Sequence, residues 1–168
     1  MFSLEAEEPM PIQLTANIPR SVSVHKVVLG FIAGFLAVLL LHQPVLAFLT
    51  SVGLAKANVY SMQPTAPFGV PQFLSLSFWG GVWGVVFALV EGHIPRGAAY
   101  WFYAFLFGAI FPTLVAWFIV APSKGQPVAG GWDAARMLTG VIINGSWGFG
   151  TALFLALGES AIRRHERA

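Results

Sequence analysis

Cysteine is absent from all 168 residues, and with it go disulfides, thiol redox relays, cysteine nucleophiles and iron–sulfur ligation, each of which needs a thiolate. Charge is almost as scarce. Only 10% of the residues are Asp, Glu, Lys or Arg, against roughly a quarter in soluble domains, so water is not the main solvent of this chain. There is no P-loop, no HExxH pair, no nucleophile elbow, no intramembrane aspartate pair and no glycine fingerprint between a strand and a helix. Those absences point away from an enzyme, and neither a cofactor nor a metal is expected. The net charge of +2 comes from basic residues scattered among helix ends, not gathered into a stripe, so nucleic acid is not an expected partner. The first 25 residues hold Glu5, Glu7 and Glu8 but no basic region ahead of an apolar run. Residues 1–25 therefore read as a flexible tail rather than a secretory signal.

What the chain has in quantity is apolar length: 57% hydrophobic residues and a mean hydropathy of +0.73. A hydrocarbon core of about 30 Å needs roughly 20 helical residues, and four stretches supply them, approximately 27–47, 71–91, 97–121 and 136–158. The predicted fold is an all-α transmembrane bundle of four helices over 26–160, ending in a basic tail, 161–168. Pro44 bends or ends the first span, and Val45, Phe48, Leu49 and Val52 then share one face, as in a short helix lying along the interface. The proline-rich run from Met62 to Gln72 is an external loop that either stays extended or dips back toward the membrane. Only Gly92 to Arg96 separates the second and third spans, which forces an antiparallel hairpin. Pro112 should free the Gly108 carbonyl and kink the third span, with Thr113 placed to satisfy that backbone. Asp133 is positioned as the N-cap of the fourth span.

Orientation follows from the lysines and arginines. Arg20, Lys26, Arg96, Arg163, Arg164 and Arg167 fall on one side of the spans; Lys56, Lys124 and Arg136 fall on the other. That excess places both termini of a multi-pass membrane protein in the cytoplasm. The second and fourth spans also echo one another. Gly81-Val82-Trp83-Gly84 and Gly145-Ser146-Trp147-Gly148 both set a tryptophan between small residues, and each is followed by an apolar half and a glutamate. The pattern suggests two tandem helical hairpins.

Small residues four apart recur: Gly30 with Gly34; Gly80, Gly84 and Ala88; Ala104, Gly108 and Pro112; Gly148, Ala152 and Ala156. Lipid tails are as apolar as leucine, so helices in a bilayer associate through close backbone contact, which such stripes permit. His42-Gln43 is the most notable polar pair, about 15 residues beyond Val27 and so roughly 23 Å up the first span. It reads either as a ligand-binding or proton-carrying pair or as side chains snorkelling beside a helix-ending proline. Bis-histidine haem fails unless a partner chain contributes, because His25, His93 and His165 all fall in segments on the other side. Asn144, Ser146 and Thr151, with the kink at Pro112, mark either a polar path or ordinary interhelical hydrogen bonding. Glu91 and Glu159 are read as solvated helix ends, with a paired-carboxylate cation site as the sharper alternative. Trp83 and Trp147 lie deep, suited to core packing or to a pocket for a flat, lipid-like ligand.

The stretch Tyr60-Ser61-Met62-Gln63-Pro64-Thr65-Ala66-Pro67-Phe68-Gly69-Val70-Pro71, followed by Phe78-Trp79-Gly80-Gly81-Val82-Trp83-Gly84, resembles small four-span bacterial inner-membrane proteins of unknown function. That resemblance implies a bacterial inner membrane and covers about 25–160, but no activity and no site residues. Glycine-rich faces, tiny loops and the lack of an evident buried ion pair favour an accessory or assembly subunit. Its expected partners are the lipid bilayer and other membrane subunits or further copies of the chain. The alternatives are a small transporter or channel subunit acting as a homo-oligomer, and a lipid- or quinone-binding protein.

Overall fold

The computed structural model describes residues 23–167; Ala168 and residues 1–22, which make up most of the segment read as a tail, lie outside the described residues. Four helices long and apolar enough to cross a membrane make up most of the described chain: α1 Val24–Ser51, α2 Gln72–His93, α3 Ala98–Ser123 and α4 Ala134–His165. The expected all-α bundle is what the chain forms. We call the end that carries Lys26, Glu91 and Arg96 the tail face, and the opposite end the loop face.

Two expected boundaries move. The segment after Pro44 is not a separate interfacial helix, because α1 runs on through Gln43–Ser51 by way of a π-turn at Val38–His42. Proline lacks an N–H, and its ring clashes with the carbonyl four residues back in an α-helix. Widening the preceding turn relieves the clash. The same device recurs in α3, where a π-turn at Ala116–Val120 precedes Pro122. At the other end of the chain α4 continues through Arg163, Arg164 and His165, absorbing most of the basic tail. Arg163 pairs with Glu159 one turn back at 3.3 Å, and cations suit a helix C-terminus.

Between α1 and α2 the proline-rich loop folds into a two-stranded antiparallel ribbon, β1 Pro64–Thr65 with β2 Val70–Pro71. Asp133 caps α4 as expected, its Oδ1 accepting the Arg136 N–H at 2.9 Å.

The helices pair as two hairpins, α1 with α2 and α3 with α4. In the first, a Cβ added at Gly34 would run into the Gly80 carbonyl, and one at Gly84 would run into the Gly30 carbonyl. In the second, Gly108 lies against the Asn144 carbonyl and Gly148 against the Ala104 carbonyl. Even the holes match: the Phe31 ring fills the space over Gly81, and the Phe105 ring fills the space over Gly145. Ala104 and Ala152 are fully buried in a core with Ala33, Phe87, Ala88, Tyr100 and Leu155.

The hairpins then join unevenly. α1 packs along α4, whereas the backbones of α2 and α3, although covalent neighbours, stand apart and meet through aromatic side chains, Phe87 with Tyr100 and Phe107 and Trp83 with Phe107. Trp147 ties the closed side, its indole N–H donating to the Gly34 carbonyl at 2.9 Å in the buried core.

Candidate functional site

Where α2 and α3 part, they leave a cleft of about 650 Å3, within the range of small-molecule sites. It reaches from Trp83, Val86 and Trp147 in the middle of the bundle to Thr65 of the ribbon and Ser123 and Lys124 at the loop face. Trp79 and Ile119 line it and are 59% and 63% exposed, so the cleft communicates with whatever surrounds the helices.

His42 lines this cleft. It is only 8% exposed, buried against protein rather than snorkelling outward. Its Nδ1 has no hydrogen-bond partner among the described residues, and a buried imidazole nitrogen left unpaired is costly. Gln43 goes elsewhere. It is 2% exposed, and its Oε1 accepts the Tyr60 backbone N–H at 2.8 Å. The π-turn explains the companion contact. The Gln43 N–H bonds to the Val38 carbonyl and Pro44 has no N–H, so the Leu39 carbonyl lacks a helical donor. The Tyr60 hydroxyl supplies one at 2.6 Å. Gln43 and Tyr60 thus pin the start of the proline-rich loop beside the cleft.

Asn144 and Pro112 also line the cleft. Pro112 frees the Gly108 carbonyl, which accepts from Thr113 Oγ1 at 3.3 Å; Thr113 Oγ1 in turn accepts from Asn144 Nδ2 at 2.9 Å. Ser146 and Thr151 are not brought to the same place. Their hydroxyls donate to carbonyls of their own helix, Ser146 to Ile142 and Thr151 to Trp147, at 2.8 and 2.9 Å. Gly30, Gly34, Gly84, Ala104, Gly108, Gly148 and Ala152 sit at the helix contacts already described, and Gly80 both packs on Gly34 and borders the cleft.

At the tail face the expectation of a solvated Glu91, and of no buried ion pair, is overturned. Glu91 is 3% exposed. Its Oε1 lies 3.3 Å from Lys26 Nζ; its Oε2 lies 3.4 Å from Arg96 Nη1 and accepts from the Tyr100 hydroxyl at 2.8 Å. The guanidinium of Arg96 also stands over the Tyr100 ring, 5.4 Å from its centroid. Lys26 belongs to α1 and Tyr100 to α3, so one carboxylate at the end of α2 binds both hairpins. Sequence spacing alone did not reveal this, because α1 is remote in sequence and a terminal glutamate looks the same whether wet or dry. Glu159 borders a smaller cavity of about 220 Å3 with Glu91 and Trp101 but pairs with Arg163. Among the described residues no group of His, Asp and Glu is arranged to hold a metal ion.

In comparisons with known proteins, no family model matches the chain, and no curated protein or solved structure is significantly similar to it.

Proposed function

We propose that this chain binds a lipid-soluble small molecule in the cleft between α2 and α3. The observation that carries this reading is His42: a buried side chain with an unpartnered Nδ1, lining a cleft of about 650 Å3 walled by Trp79, Trp83 and Trp147. Tryptophan faces suit flat or extended apolar groups, and a few polar side chains in an apolar wall fix the orientation of a ligand. We place the tail face in the cytoplasm of a bacterial inner membrane, on the excess of lysine and arginine there and on the resemblance carried by the Tyr60–Pro71 stretch.

A second reading, an accessory or assembly subunit, draws on the same splay: a helix of another membrane protein would cover α2 and α3. Transport through a polar path draws less support, since the Ser146 and Thr151 hydroxyls are engaged by their own helix.

The test is the native mass of the protein released from its own membranes in mild detergent. A small molecule retained at one per chain, and lost in the His42→Leu and Trp83→Leu variants, is the expected result. A second polypeptide at fixed stoichiometry with no small molecule would overturn it in favour of the subunit reading.

A further inference from the structure

Resting on that reading of the cleft, we infer that its ligand is an amphiphile with an anionic headgroup, held at the loop face by Lys124, its apolar chain running inward along Trp79 and Trp83. The argument is one of charge complementarity. Lys124 is the single charged residue among those lining the cleft. It is exposed and stands outside every ion pair formed by the described residues. Of the other polar side chains there, the Thr65 and Ser123 hydroxyls donate to the Val70 and Val120 carbonyls and one Asn144 amide hydrogen goes to Thr113, which leaves His42, Ser75 and the second Asn144 hydrogen as donors; none of these groups is a carboxylate.

The described acids lie elsewhere. Glu91 is held by Lys26 and Arg96, Glu159 by Arg163, Asp133 by its cap on α4, and Glu166 follows the end of α4 at the tail face. A cationic headgroup would therefore meet Lys124 and no counter-charge. A neutral one would leave the ammonium uncompensated, whereas an anionic one gains a charge-assisted contact. The position fits as well as the sign. Lys124 and Ser123 sit at the end of α3 and Thr65 sits on the ribbon across the opening, so a headgroup there stays at the interface while its chain enters the tryptophan-lined half.

Carboxylate and phosphate headgroups share this chemistry, and a four-way competition separates them. Oleate, oleyl phosphate, oleyl alcohol and oleylamine are added together, at equal concentration, to the delipidated full-length protein, and adducts are counted by native mass spectrometry. Oleate or oleyl phosphate is expected to occupy the chain ~tenfold more than the alcohol, the ratio expected for one charge-assisted contact, with oleylamine last. Lys124→Gln should bring the anions down to the level of the alcohol while alcohol binding holds; Arg164→Gln, at the tail face, should change nothing. Equal binding of all four, or an anion preference that survives Lys124→Gln, overturns the headgroup assignment and leaves the cleft reading standing. No adduct with any of the four overturns both.

Discussion

His42 and Gln43 are neighbours with opposite fates, and the difference is set by what lies within hydrogen-bond reach. Gln43 accepts from the Tyr60 N–H at 2.8 Å, so Gln43→Ala should strand a backbone donor and destabilise the protein by about 1–3 kcal/mol. The measurement is thermal unfolding alongside proteolysis of the 61–71 loop, which should be cut faster in the variant; an unchanged cleavage rate would sink the anchoring role. Glu91 offers the clearest case at the tail face. Removing the carboxylate in Glu91→Ala leaves Lys26, Arg96 and Tyr100 without their shared acceptor, at a cost of about 1–3 kcal/mol. Arg96→Gln should cost less, because the Arg96 side chain is 68% exposed and solvent screens its pair. A larger loss from Arg96→Gln than from Glu91→Ala would contradict the arrangement.

Helices were the most legible part of the sequence, and the reason is physical. Length and continuous hydropathy identify a span without reference to any other part of the chain, and a link of a few residues dictates which spans are antiparallel. Asp133 and Thr113 were legible for the same reason, since a cap and a proline-freed carbonyl are satisfied within one turn. The path of α1 beyond Pro44 was not legible: a proline reads as a stop, and only the π-turn at Val38–His42 shows how the helix survives it. Glycine stripes identified the contact faces but not their partners, which depend on register across α1 and α2. That register yields a sharp contrast. Gly34→Val would drive a side chain into the Gly80 backbone and should destabilise by about 1–3 kcal/mol or more. Gly92→Ala, where an added Cβ meets nothing within 4 Å, should stay within about 0.5 kcal/mol of wild type. Comparable unfolding temperatures for the two variants would rule out the close helix approach.

At the scale of the whole molecule, the cleft was the least legible feature, because it arises from a close backbone approach that α2 and α3 do not make. Trp83 and Trp147 read alike in the sequence and both border the cleft; only the assembled bundle distinguishes the one tied to Gly34 from the one set against Phe107. The absence of cysteine makes the proposed orientation straightforward to check. Lys56→Cys should react with a membrane-impermeant maleimide from outside intact cells, and His93→Cys only after the membrane is opened. The reverse pattern would place the tail face outside.

The unequal joining of the two hairpins amounts to a division of labour within one repeated plan. In the second hairpin the Gly108 carbonyl, the counterpart of Gly34's, accepts from Thr113 and Trp83 packs against Phe107 instead, so the indole strut is made in one copy of the plan and not in the other. A molecule that kept perfect symmetry would be sealed on both sides and deaf to the lipid around it. At the seam left ajar, a proline and the hydroxyl beside it stand where the other seam has its indole strut.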